Sequence, residues 1–252
     1  MIRGLYAAAS GMILGALRQG LIAHDVANAN TPGYKRGILP PNPATRLDLR
    51  RIPTPQFAAR APQVGPLGTG VYPEGVITDF RQGPLQETRR VLDVALEGEG
   101  FFQVQTPQGP RFTRDGRFYR DADGNLVTVR GYLVLDPNGQ PIQLPQEGEI
   151  AIALDGTISV DRQVIAQIGI FQAPLESLQR EGDGLFVSTM ETAPPQATQV
   201  QVRQGFLEGS NVDAAATLVE MMMVARAYEA SQRLVQIQDQ MLTRTMEIGR
   251  IS

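Results

Sequence analysis

The chain contains no cysteine and no tryptophan, and only one histidine, His24. The first absence excludes disulfides, thiolate metal sites and cysteine nucleophiles. A lone histidine cannot supply a catalytic triad or a histidine metal cluster, and a packing or surface role suits it better. Aromatic residues make up 6% of the chain, and without tryptophan no sugar platform can be built. Charge of one sign is also scarce: the formal net charge is -3, which calls for neither nucleic acid nor an anionic membrane surface. No run reaches the ~18 uninterrupted apolar residues of a membrane span, so membrane insertion is not expected. The first 22 residues are apolar, but Gly4, Gly11, Gly15, Arg18, Gln19 and Gly20 interrupt them, which fits an amphipathic helix better than a cleaved signal peptide.

What is present is a chain of 252 residues with helical ends and a β-like middle. Near the start, Leu5, Ala9, Met12, Ala16 and Leu21 recur at helical spacing, with Ile2 and Leu17 beside them. The pattern stops at Asn28-Ala29-Asn30-Thr31-Pro32-Gly33, where Pro32 disfavours helix in the residue before it. At the other end Ala216, Val219, Met223, Ala227, Ala230, Leu234, Ile237 and Met241 fall three or four apart. Ser210, Asn211 or Asp213 can cap that helix, since each offers an oxygen to a free backbone N–H. A helix over 213–249 is roughly 55 Å long at ~1.5 Å per residue, too long to hide in one compact domain. Its narrow stripe, rich in alanine and methionine, requires a partner.

The middle reads as short strands over 91–96, 100–105, 111–120, 126–129 and 132–135, then 150–153, 157–160, 164–171 and 185–188. Asp115-Gly116, Asp123-Gly124, Asn138-Gly139 and Asp155-Gly156 punctuate them as turns. The expected fold is α+β: N- and C-terminal helices pairing as a coiled-coil-like unit (1–34 with 208–252), and an irregular antiparallel β-domain (67–207). Between them, 35–66 is rich in proline and reads as extended linker, neither sheet nor helix. From Lys35 to Arg60 it carries Lys35, Arg36, Arg46, Arg50, Arg51 and Arg60 against Asp48 alone, a solvated or acid-docking segment.

No catalytic or cofactor site assembles. Asp121-Ala122-Asp123-Gly124-Asn125 begins like a calcium loop, but its glycine comes fourth instead of sixth, so a hairpin turn is the better account. Glu97 and Glu99 lie two apart between glycines, without the surroundings of a glycosidase pair.

Three stretches resemble the flagellar basal-body rod and hook family. The first runs from Gly4-Leu5-Tyr6 and Ser10-Gly11-Met12 into Ala27-Asn28-Ala29-Asn30-Thr31-Pro32-Gly33-Tyr34-Lys35-Arg36, with His24-Asp25 departing from the usual Asn-Asn pair. The second is Asp93 to Val104, followed by Phe112-Thr113-Arg114-Asp115-Gly116. The third is Gly205-Phe206-Leu207-Glu208-Gly209-Ser210-Asn211-Val212-Asp213 with Arg226-Ala227-Tyr228-Glu229. Gly68-Thr69-Gly70-Val71 and Gln82-Gly83-Pro84-Leu85 are most similar to the distal-rod type, and the short proline-rich linker keeps the proximal-rod type as its rival. The resemblance implies a structural subunit, not an enzyme, without cofactor or metal. Its partners would be copies of itself, other rod and hook proteins and the flagellar export apparatus. Its place would be the basal body in the cell envelope, reached without a cleaved signal peptide. The positions expected at the assembly interface are Leu5, Met12, Leu21, Val219, Met223, Leu234, Ile237 and Met241. Asn28, Asn30, Gly33, Ser210 and Asn211 are expected to cap helices or shape turns. A secreted adhesin or wall-binding module, its helical ends serving only export, is the competing reading.

Overall fold

The computed structural model describes residues 2–43, 46–50, 63–68, 70–190 and 200–249. They divide into two compact units: Met1–Val26 with Gly37–Ile77 and Ala214–Ser252, and Ala27–Arg36 with Thr78–Asp213.

The first unit is built on two helices, α1 (Ile2–Ala27) and α2 (Ala214–Gly249). α1 stops four residues before Thr31-Pro32, and α2 starts directly after Asp213, which stands at the N-cap position. The helices run antiparallel, because Gly4, Gly11 and Gly15 lie against Gln238, Ser231 and Tyr228 in descending order. A methyl group added at Gly15 would sit 3.5 Å from the Tyr228 ring, and one at Gly4 would sit 3.0 Å from the Gln238 amide. Small residues on α1 thus let α2 approach closely. On α2 the half-buried positions include Met221, Val224, Tyr228, Ser231, Val235 and Gln238, which alternate three and four apart as a coiled-coil seam does.

Extended segments complete this unit. Pro41–Pro43 pairs antiparallel with Val71–Pro73, and Arg46–Arg50 pairs with Gln63–Gly68. This corrects the expectation that 35–66 is neither sheet nor helix. The prolines do enforce extended backbone, but Arg46–Arg50 has none and keeps every ladder donor. Residues 51–62, with Pro53, Pro55, Pro62, Arg51 and Arg60, lie outside the described residues. By length and composition alone, Gly4–Ala27 is apolar enough to cross a membrane. Three of its polar side chains are engaged within this unit. Arg18 donates from Nε and Nη2 to the Leu39 carbonyl at 3.3 and 3.1 Å, Ser10 Oγ accepts from Val71 N, and Asp25 Oδ1 accepts from Gly37 N.

The second unit is antiparallel β. Its largest sheet orders the strands Phe118–Arg120, Leu126–Thr128, Leu133–Val134, Phe101–Thr106, Gly109–Thr113, Leu185–Ser188 and Leu178–Gly182, with Ile170–Phe171 also on Phe101–Thr106. A three-stranded meander follows over Ile150–Ile152, Thr157–Val160 and Gln163–Gln167. One face of Phe101–Thr106 sends Phe102 and Val104 into a core with Val94, Leu96, Phe118, Ile158 and Ile168, where Phe102 meets Phe118 edge-on at 5.0 Å. The other sends Phe101 into a second cluster with Phe112, Phe171 and Phe186. The alternation is what a strand buried on both faces requires. The expected strand 111–120 breaks in two at 114–117. There Gly116 passes so close to the Val94 carbonyl that a Cβ would stand 1.6 Å from its oxygen. Asp115-Gly116 is therefore a crossing point, not the tip of a hairpin.

Candidate assembly interface and a buried ionic clasp

The eight positions expected at an interface fall into two groups. Val219, Met223, Leu234, Ile237 and Met241 are all exposed on α2, Met223 by 66%. None belongs to the half-buried row that faces α1. The stripe visible in the sequence is thus a second face of α2, offset from the pairing seam, and it leaves the unit apolar and open. Met222 borders it. On α1, Leu5, Met12 and Leu21 are half-buried, and Leu21 packs on Gly37 within its own unit. Among the described residues, the large exposed apolar side chains of α1 are instead Tyr6, Ile13 and Leu17.

The turn residues sort differently. Asn28 closes the end of α1 by accepting from Thr31 N at 3.0 Å through its carbonyl and from Thr31 Oγ1 at 3.2 Å through its side chain. Asn30 is exposed. Gly33 has φ +69, and a Cβ there would meet the Arg114–Asp115 peptide at 2.5 Å, so both conformation and space demand glycine. Ser210 Oγ accepts from Val212 N at 3.2 Å, an ST-turn leading toward α2. Asn211 does more. Its Oδ1 accepts from Arg36 N at 2.7 Å, and its Nδ2 donates to the carbonyls of Asp79 (2.8 Å) and Arg81 (3.1 Å). One amide thereby joins three separate stretches of backbone.

Beside it lies a group that the sequence reading missed. Lys35, Glu208 and Arg114 are buried together, their side chains 0%, 0% and 4% exposed. Lys35 Nζ donates to Glu208 Oε1 at 2.5 Å and to the Arg81 carbonyl at 2.9 Å. Arg114 donates from Nη1 to Glu208 Oε2 at 3.0 Å and from Nη2 to the Gly98 carbonyl at 2.6 Å. Gly83 N adds a bond to Glu208 Oε1, and the Glu208 carbonyl accepts from Gly33 N at 2.7 Å. Arg180 stacks on Tyr34 and donates to the Lys35 carbonyl. Burial pushes the Lys35 ammonium below its ordinary pKa of 10.5, and the facing Glu208 carboxylate partly opposes this. Burial lowers the Arg114 guanidinium for the same reason. Lys35 is therefore not part of a solvated basic linker but the centre of an ionic clasp. Its three charges come one from each stretch that carried the family resemblance. No local signal set these residues apart: Arg36 stands beside Lys35 and Asp115 beside Arg114, and only Glu208 is a lone charge between glycines, in Gly205-Phe206-Leu207-Glu208-Gly209.

The carboxylates weighed for chemistry serve the fold. Asp121 accepts from the backbone of Asp123 and Asn125 and from the Asn125 side chain, so its loop is closed on itself. Glu97 pairs with Arg203, and Glu99 accepts from Gln172. Among the described residues, no three acidic or histidine side chains gather as a metal site would need.

A paired-helix stalk with an open apolar stripe, joined in sequence to a β unit locked by a buried clasp, defines a structural subunit made for association. The comparisons with known proteins give the family. A profile of flagella basal body rod proteins matches residues 5–35, that of the flagellar hook protein FlgE/F/G D1 domain matches 95–160, and that of the flagellar basal body rod FlgEFG protein C-terminal region matches 203–248. The chain is 33% identical to the flagellar basal-body rod protein FlgF of Rhizobium meliloti over 98% of each chain. It is 34% identical to FlgF of Caulobacter vibrioides over 85% of this chain and 84% of that one. It is also 34% identical to the rod protein FlgG of Agrobacterium fabrum, over 95% and 97%. The chain belongs to the flagellar basal-body rod protein family of the FlgF and FlgG type, and it is a structural subunit of the rod. The adhesin reading finds no support among these relatives.

Proposed function

We propose that the subunit polymerises through the open stripe of its paired terminal helices into a tubular axial structure. The observation that carries this is the exposure of Val219, Met223, Leu234, Ile237 and Met241 along one face of a helix 36 residues long. A continuous apolar face of this length is covered in a stable protein by something, and in a family of rod subunits that is another subunit. Heterologous contacts of this kind leave the array open, as a tube requires. Leu5, Met12 and Leu21 join the interface from α1 where their half-buried side chains reach the surface.

The same reading makes the chain a non-catalytic component of the basal body in the cell envelope, delivered by the flagellar export apparatus without loss of its N-terminus. The contacts of Arg18 with the Leu39 carbonyl and of Ser10 with Val71 N support retention of α1, since cleavage would leave those backbone groups unpaired. The division into a helical and a β part is kept with its bounds moved: 27–36 and 208–213 go with the β part, and 37–77 goes with the helices. Within the family, the pattern at 68–71 and 82–85 supports a distal-rod role. Relatives of both types at 33–34% identity support the proximal one equally.

The direct test is substitution of the stripe. Met223→Asp or Leu234→Asp should abolish polymerisation while the β unit keeps its fold; polymers of normal yield and length from either variant would contradict the seam. Quantitative mass spectrometry of purified hook–basal bodies then separates the two rod positions: many copies favour the distal rod, a few the proximal.

A further inference from the structure

Sulfur enters this chain only as methionine, since there is no cysteine, and four of its 8 methionines stand open on α2. Met222, Met223, Met241 and Met246 are 56%, 66%, 51% and 66% exposed. Met12 and Met221 are half-buried in the same unit. Exposure decides which thioethers an oxidant reaches first.

The open methionines do not share one face. Met223 and Met241 lie about five turns apart, which returns to the same side of the helix, in line with Val219, Leu234 and Ile237. Met246 lies about seven and a half turns beyond Val219 and points the other way. Met223 and Met246 are therefore a matched pair within one helix, equally exposed, one on the apolar stripe and one off it.

A peroxide converts such a sulfur in one step. The sulfur lone pair attacks the O–O bond, an S–O bond forms, and the rest of the peroxide leaves as water with the two electrons given up by sulfur. An apolar, adaptable thioether becomes a polar sulfoxide that must keep its water or find a donor. Val219, Leu234 and Ile237 on the stripe carry none. Arg226 and Arg244, one turn on from Met223 and Met241, are exposed, and bonding the new oxygen would draw their charge into a covered seam, which is unfavourable.

We infer that Met223 and Met241 are oxidant-sensitive modification sites: their sulfoxides bar a free subunit from polymerising, and polymerisation in turn shields the thioethers. This deepens the assembly reading and rests on it. A sulfoxide at Met246 is without effect on the seam. A subunit oxidised before assembly is kept out until a methionine sulfoxide reductase, with a dithiol as reductant, removes the oxygen as water.

The test treats the full-length free subunit with hydrogen peroxide, quenches it, and divides it between peptide mass spectrometry and sedimentation of polymers. Met223, Met241 and Met246 should convert at similar rates. Each stripe sulfoxide should raise the concentration needed for polymerisation about tenfold, and treatment with the reductases should restore it. The double variant Met223→Leu, Met241→Leu keeps bulk and apolarity, so it should polymerise like wild type before and after peroxide. Met246→Leu should stay as sensitive as wild type. In preformed polymers Met223 and Met241 should oxidise at least about tenfold more slowly than in free subunits. Normal polymerisation of the doubly oxidised chain, equal loss in the double leucine variant, or equal oxidation rates in polymer and free subunit would each overturn the inference. Leu234→Asp judges the assembly reading separately. If it polymerises normally, that reading falls; if it fails while the doubly oxidised chain still polymerises, only the oxidation sites fall.

Discussion

Glu208→Gln should be among the most damaging single-atom changes available in this chain. The substitution keeps the volume and one carbonyl oxygen but exchanges the other oxygen for an NH2 group. In the native clasp Oε1 accepts from Lys35 Nζ and Gly83 N, and Oε2 accepts from Arg114 Nη1. Whichever way the new amide turns, a donor faces a buried cation, and both cations lose their counter-charge. Removing one partner of a buried ion pair costs about 3–5 kcal/mol, a large share of the ~5–15 kcal/mol that holds a typical domain. Urea denaturation followed by far-UV circular dichroism reads the total, and hydrogen exchange at the amides of Gly33 and Gly83 reads the loss locally. Glu97→Gln is the matched control, because its pair with Arg203 at 2.8 Å has both side chains about half exposed and should be worth under about 1 kcal/mol. If Glu208→Gln costs no more than Glu97→Gln, the clasp does not stabilise the β unit and the reasoning fails.

Gly33→Ala should cost at least about 2 kcal/mol, since a left-handed φ and overlap with the backbone of Arg114 act together; a denaturation midpoint within error of wild type would refute this. At the helix seam the sign turns on size. Gly15→Ala should be neutral or stabilising by up to about 1 kcal/mol, because the new methyl makes ordinary contact with Tyr228 and helix propensity rises. Gly15→Leu should destabilise helix pairing by about 1–3 kcal/mol, read as lost ellipticity at 222 nm on mild heating. Asp79 tests the acid side: its hydrogen bond from Arg81 holds the carboxyl below its ordinary 3.8. A lowered folded value means that its stabilisation is present above 3.8 and is lost as pH falls through the folded pKa. The stability gap between wild type and Asp79→Asn should therefore shrink below that pH, and a gap that is flat or widens on acidification would count against it.

Much of the architecture was legible because local chemistry and tertiary demand agree. Pro32-Gly33 ends α1 and Ser210 to Asp213 begin α2 close to where their backbone preferences place them. Strands such as Thr157–Val160 and Leu185–Ser188 fall where β-branched and aromatic residues are bounded by Asp-Gly turns. The pairing seam of the helices was not legible. Hydrophobic periodicity finds large apolar residues, whereas α1 meets α2 through glycines, which have no side chain to register, and α2 answers with Tyr228, Ser231 and Gln238. The clasp was hidden for another reason: Lys35 and Glu208 are 173 residues apart, and nothing local announces that a lysine is buried. Pairing within 35–66 was missed because proline marks extended backbone without saying whether a partner strand lies alongside.

The same economy links the two missed features to the function. Had α1 and α2 paired through the stripe itself, those side chains would be consumed inside the subunit. Pairing through the row Met221, Val224, Tyr228, Ser231, Val235 and Gln238, with glycines of α1 opposite, instead leaves Val219, Met223, Leu234, Ile237 and Met241 outward. A lone soluble subunit gains nothing from this arrangement, since it exposes an apolar face that invites association. A subunit that must pack against copies of itself gains its contact surface from it. The β unit solves the opposite problem: the clasp and the Asn211 amide tie its distant segments by specific bonds, so its fold does not depend on the surface that α2 keeps open. Substitutions at the stripe and at the clasp should therefore separate cleanly, the first removing assembly with the β unit intact and the second loosening the β unit with the stripe unchanged.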